Sequence, residues 1–297
     1  MKYMREYDLR KVLHDVLKEI DETEEVREYA EEIKWLCEYI DGLNNKKELC
    51  CENKEIENVT QNYMIEWGVW GMAMLRKDIS QKLSLLYSSF CFQISNMILG
   101  IYKLAKDGLD YQAMCLIRVL LEMIISFLAI LIDSNYREKY LETADVSKEH
   151  QIWRSTLRIQ KAEEIVWNYA ETIDEKVKMQ CLECKKIYEE MYAELSKFEH
   201  NSYGNMIVMQ YALVDEDRLG LNVNGNKVTA IERILKQVLC ILIPMEALFS
   251  RIVYEKDIID SNLPEDEFGQ KMWSFAMVLH IIVSDLAQKY FEDVEEN

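Results

Sequence analysis

An all-α fold, a bundle of long antiparallel helices with a small β-hairpin insertion near residues 206–228, is what this sequence predicts, and three observations carry the prediction. Apolar residues make up 49% of the 297 positions, yet only 9 are Gly and 2 are Pro. A sandwich or barrel of that length needs a turn about every 8 to 12 residues, and turns draw on Gly and Pro. Apolar residues also recur at helical spacing through most of the chain. Strand texture, by contrast, gathers in one place: Ile207–Val214 is apolar and partly β-branched, and Asn224-Gly225 carries the signal of a tight hairpin.

Taken in order, Tyr3–Ile20 and Glu24–Ile40 read as two amphipathic helices broken at Asp21, where Asp21 followed by Glu24 fits a capping pattern. Asp41-Gly42 ends the second. From Tyr63 to Leu104 the spacing is helical, as one long helix or two joined near Asp78–Gln81, and Lys106-Asp107-Gly108 stops it. Asp110 is expected to cap the most apolar helix, which Asp133-Ser134-Asn135 closes near Ile132. A short helix over Tyr136–Leu141, a longer one over Ser147–Ala170 and an amphipathic one over Ile173–Phe198 follow. Asp215–Gly220 looks like a turn. Helix resumes over Ala230–Tyr254, kinked by Pro244, and a last helix starts near Pro264 or Glu265 and runs to Phe291. With no internal repeat or linker, the expected division is an acidic N-terminal helical pair over residues 1–59 and a helical bundle over residues 60–297.

Thirty-five basic against fifty-three acidic residues give a formal charge of −18, which repels phosphate backbones over most of the surface. The charge is uneven: residues 1–60 carry 10 basic and 17 acidic side chains, residues 61–250 carry 21 and 25, and residues 251–297 carry 4 and 11. Net charges of −7, −4 and −7 follow, so the ends are acidic and the middle nearly balanced. The opening MKYMREYDLR lacks the apolar core of a signal peptide, so the expectation is a cytoplasmic protein. Ala113–Ile132 has the length of a bilayer span, but Arg118 and Glu122 interrupt it; a buried core helix is expected, and no membrane partner. Most of the eight cysteines read as small core hydrophobes in a reducing compartment.

Arg118 and Glu122 lie four residues apart in Leu116-Ile-Arg-Val-Leu-Leu-Glu122, on one face of an apolar helix. A buried charge without a partner costs several kcal/mol, so the two must pair. They form either a structural ion pair or a site in which Arg118 binds an anion and Glu122 orients it. Ser196 and His200 are also four apart, and Asn201, Ser202 and Gly204 make a loop able to bring backbone amides to a ligand. Imidazole is suited to proton transfer near neutral pH, although a His at a helix end also serves as a partner for the helix dipole. His150, Arg154, Arg158 and Lys161, at steps of four, four and three beside Trp153, are expected on one helix face. Such a stripe either admits a phosphate-bearing ligand or salt-bridges internally. Cys181-x-x-Cys184 supplies half of a zinc set inside what reads as unbroken helix, so no metal and no other cofactor is expected. No Gly-rich phosphate loop, dinucleotide fingerprint or His-Glu-x-x-His is present.

An apolar helix with Arg118-x-x-x-Glu122, followed some 75 residues later by Ser196-x-x-x-His200, resembles the pattern of a family of uncharacterised bacterial helical proteins. These are distantly similar to the HEPN superfamily of RNA-cleaving toxins, abortive-infection proteins and inactive scaffolds. The resemblance covers roughly residues 80–250. It implies a phage-defence or toxin–antitoxin setting and a pocket of Arg118, Glu122, Ser196 and His200 that binds or cleaves RNA. As an enzyme the chain would be a metal-independent ribonuclease, with Arg118 stabilising the phosphorane and His200 acting as general acid or base. Active HEPN ribonucleases carry an Arg, four to six residues, then a His on one helix, and this chain departs from that pattern. His14 follows Arg10 with three residues between, and His150, His200 and His280 have no Arg at that distance. The competing expectation is a catalytically inert acidic module, an inhibitor, antitoxin-like subunit or scaffold. Its partner would be a basic protein. Separately from either reading, RNA at a local basic patch and a homodimer are expected as further partners.

Overall fold

The computed structural model describes residues 54–76, 79–107, 109–172, 185–186, 188–193, 195–196, 211–215, 218–221, 231–255 and 266–295. The expected N-terminal helical pair, Cys181-x-x-Cys184, His200, Asn201 and Asn224-Gly225 lie outside them. The described residues are almost wholly helical: α1 (Lys54–Ala73), α2 (Gln81–Lys106), α3 (Asp110–Ile132), α4 (Ser134–Glu142), α5 (Val146–Ser155), α6 (Ile159–Ala170), α7 (Ile231–Glu255) and α8 (Glu267–Glu295). All-α is the fold class. Two short strands, β1 (Tyr211–Asp215) and β2 (Arg218–Leu221), pair antiparallel, Tyr211 opposite Leu221 and Asp215 opposite Arg218. Arg218, Leu219 and Gly220, expected in a turn, are thus part of the ladder.

These residues fall into two compact units. One holds α1, α2, α8 and the first residues of α7; the other holds α3 to α6, the strands and the rest of α7. The expected boundary at residues 59/60 falls inside α1.

In the first unit α1 packs on both α2 and α8. The sequence allowed one helix or two over 63–104; two form, because Ser80 caps α2 by accepting the Leu83 amide at 3.4 Å. Ser84 hydroxyl donates to the Met74 carbonyl at 3.1 Å and ties the connection back. Gly68 and Gly71 let α1 and α2 approach closely: a Cβ at Gly71 would meet the Phe92 ring at 2.7 Å, and beside Gly68 the Ser95 hydroxyl donates to the Met64 carbonyl at 2.7 Å. Tyr63, Trp67 and Trp70 are buried, and Trp70 meets Trp273 of α8 edge-to-face at 5.3 Å.

In the second unit α3 packs on α4 and α6, and α4 on α5. Ile117, Leu120, Leu121, Ile124, Ile125 and Leu128 of α3 are fully buried, and Phe127 lies 5.8 Å from Phe249 of α7. Asp110 does not cap α3 as expected: Leu109 occupies the cap without a side-chain bond, and Asp110 sits buried in the first turn, where its charge suits the helix dipole. Asp133 closes α3 and caps α4, accepting the Tyr136 amide at 2.7 Å. Helix α7 runs through Pro244 without ending. By length and composition α2 and α3 could each cross a membrane, with 44% and 56% of their apolar windows buried, a profile that core helices of water-soluble proteins share.

Candidate functional site

Helix α3 presents Arg118 and Glu122 on one side of an otherwise apolar segment, and a tyrosine from the helical residues 188–193 completes a closed triangle with them. Arg118 Nε donates to Glu122 Oε1 at 3.0 Å, and Arg118 Nη2 donates to the Tyr192 hydroxyl at 3.0 Å. The Tyr192 hydroxyl in turn donates a hydrogen bond to the same Glu122 Oε1, at 3.2 Å. The guanidinium carbon lies 4.8 Å from the Tyr192 ring centroid, a cation–π contact. Arg118 keeps 12% of its side chain exposed and Glu122 35%, so the triangle is anchored in the core and opens to solvent on its acidic side.

An aromatic row backs the triangle. Tyr188 stacks on Tyr192 at 5.7 Å, and Trp167 of α6 meets Tyr188 edge-on at 5.6 Å. The Tyr188 hydroxyl donates to Glu163 of α6. Burial pushes the Tyr188 hydroxyl well above the usual tyrosine range, and the bond to Glu163 adds to it. Tyr192 shifts in the same direction, through burial first and the Glu122 charge second, with Arg118 opposing. Both hydroxyls therefore stay protonated donors across the physiological range.

Among the expected pocket residues, the structure brings Arg118 and Glu122 together and adds Tyr192, which sequence reasoning missed. The Ser196 hydroxyl donates to the Tyr192 carbonyl at 2.6 Å, one turn back, so it is engaged locally. Chemically, the triangle binds three helical side chains to one another. Two of the five guanidinium N–H donors are committed in this way, one on Nε to Glu122 and one on Nη2 to Tyr192.

The basic stripe does not lie on one helix. The expected helix over Ser147–Ala170 breaks between α5 and α6, where Thr156 ends α5 and Arg158, with φ −61° and ψ 143°, starts α6. Leu157 is buried at the break, so its burial draws the chain inward and takes Arg158 and Lys161 off the α5 face. Arg158 Nε donates to the Arg154 carbonyl at the end of α5, and Lys161 pairs with Glu164 at 2.6 Å. His150, Trp153 and Arg154 remain on the outer face of α5, all exposed.

Sequence reasoning also missed two acids in the first unit. Glu57 accepts the Tyr102 hydroxyl at 2.8 Å and Lys54 Nζ at 3.2 Å. Glu66, fully buried, meets His280 Nδ1 at 3.0 Å. The signal was present: Tyr63-Met-Ile-Glu66-Trp-Gly-Val-Trp70 embeds a charge in an apolar helix just as Leu116–Glu122 does.

No family model, no curated protein and no solved structure matches the chain.

Proposed function

We infer that this chain is a catalytically inert helical interaction module, whose acidic surface engages a basic protein partner. The observation that carries the reading is the closure of the Arg118–Glu122–Tyr192 triangle: the guanidinium that a ribonuclease would aim at a phosphate is bonded instead to two side chains of its own unit. A charge of −18 supplies the complementary field for a basic surface and accelerates encounter at low salt. The same proposal places the chain in the cytoplasm without a membrane span, and takes β1 and β2 as the described part of a hairpin insertion over residues 206–228.

A second reading, HEPN-like handling of RNA through Arg118, Glu122, Ser196 and His200 in a defence or toxin–antitoxin system, draws support from one feature. Glu122 is 35% exposed, so solvent reaches the edge of the triangle. The test is incubation of the full chain with labelled RNA, beside titration with an arginine-rich peptide. The module reading expects intact RNA and peptide binding that weakens with salt. RNA cleavage that disappears in both Arg118→Lys and His200→Ala would sink it and favour the ribonuclease.

A further inference from the structure

We propose that the outer face of α5, built on His150, Trp153 and Arg154, docks single-stranded RNA. The inference is independent of the module reading, since it needs neither the Arg118 triangle nor a protein partner. Spacing of three and four residues puts the three side chains on one face of α5, and all are exposed. Trp153 is among the few large apolar side chains left in solvent among the described residues, at 39% exposure. It does not lie loose: an edge-to-face contact with Tyr140 of α4, centroids 5.9 Å apart at 76°, holds the indole while leaving surface for a further ring.

Charge selects the occupant. Residues 134–161 carry six basic and four acidic side chains in a chain whose net charge is −18, so this stretch is a positive island on a surface that repels phosphates. Lys139 is neutralised by Glu142 at 2.7 Å and Lys161 by Glu164. Arg154 makes no ion pair with any described residue, and Arg158, bonded to the Arg154 carbonyl, brings a second guanidinium to the same end of α5. Glu149, also exposed, is the one acid on α5. An exposed indole next to the unpaired Arg154 guanidinium, with the Arg158 guanidinium beside it, suits a strand that offers a base to stack and phosphates to neutralise; an acidic peptide would use the cations and leave the indole idle. The break at Leu157 takes Arg158 off the helix of α5, yet its guanidinium returns to the Arg154 carbonyl at the C-terminal end of α5.

The experiment is a fluorescence titration of the full chain with a fluorescein-labelled oligouridine of about 12 nucleotides, a length within the usual footprint of single-strand binders. Neutralising two to three phosphates predicts binding that weakens about 7- to 18-fold between 50 and 200 mM salt. Trp153→Ala should weaken binding at least about fivefold through the lost stack, and Trp153→Phe, which keeps a ring against Tyr140, should stay within about threefold of the parent. Arg154→Glu should weaken binding about tenfold, while Lys271→Glu, the same charge change in the other unit, should shift it less than twofold. Melting curves of each variant separate lost binding from lost folding, and Trp153→Phe keeps the test decisive if Trp153→Ala unfolds. Absence of saturable binding at 50 mM salt would overturn the proposal. So would equal losses in Arg154→Glu and Lys271→Glu, which would make the effect one of bulk charge. Polyglutamate binding as tightly as oligouridine would also overturn it and make an acidic protein the occupant.

Discussion

In the unit built on α1, α2 and α8, Glu57 and Glu66 keep 2% and 0% of their side chains in solvent; in the unit built on α3, Glu122 keeps 35%. All three are carboxylates on apolar helices, and all three are bonded. They differ in what removal of a partner would leave behind. Around Glu66 no water can replace a lost bond, so a stranded group carries its full desolvation cost. Around Glu122 solvent takes over part of the role, which discounts each bond in the triangle. The first unit thus uses its buried acids to hold helices in register, and the second holds a charge pair at its margin.

The sharpest test of that contrast is Glu66→Ala, which should cost about 3 to 5 kcal/mol by taking the fully buried carboxylate away from the largely buried His280 ring. A thermal melt should fall by roughly 6 °C or more. Next in size, Gly71→Ala should cost about 1 to 3 kcal/mol in urea unfolding, because its methyl group meets the Phe92 ring at 2.7 Å and the ring's own base lies in the contact. A stabilising Gly71→Ala, as helix propensity alone predicts, would show that α1 and α2 can separate freely. Arg118→Ala should cost less than Glu66→Ala, about 1 to 2 kcal/mol, since its partner Glu122 reaches water. Equal costs for Arg118→Ala and Glu66→Ala would erase the distinction between the units.

The smallest effect at neutral pH comes from tyrosines of the second unit. Burial pushes the Tyr136 hydroxyl up to about 12, against an ordinary value near 10. A raised folded-state value means that the neutral form is favoured in the fold. This contribution is fully present below about pH 10 and is lost as the pH rises from there through about 12. Tyr188 and Tyr192 shift the same way. The midpoint of urea unfolding should therefore stay level up to about pH 10 and fall above it, together with a rise of tyrosinate absorbance. Tyrosinate absorbance reaching the full value for all 17 tyrosines near pH 10, in a chain that still melts normally, would contradict the burial of these hydroxyls.

What could be read from the sequence depended on the range of the interaction. Helical periodicity and capping are local, so the ends of α2 at Ser80 and Asp107 and the junction at Asp133 were legible. The Arg118–Glu122 pair was legible for the same reason, being one turn apart. Tyr192 was not, because its bonds to Arg118 and Glu122 span 74 and 70 residues and nothing near Tyr192 marks it. The stripe from His150 to Lys161 failed differently: no Gly or Pro interrupts it, and the break arises from burying Leu157, a packing event that local propensity does not encode. Glu57 and Glu66 were within reach of the argument applied to Arg118, yet His280 lies more than 200 residues from Glu66.

That separation has a consequence for synthesis. Helix α1 leaves the ribosome with Trp67 and Trp70 ready to bury, but α8, which supplies Trp273 and His280, begins about 190 residues later. At about 5 to 20 residues per second, the wait is roughly 10 to 40 seconds. Meanwhile the face that α8 will cover stays open, with the Glu66 carboxylate still hydrated. The chain thus carries a vulnerable interval in every round of translation, in which holding chaperones would have their longest access to it.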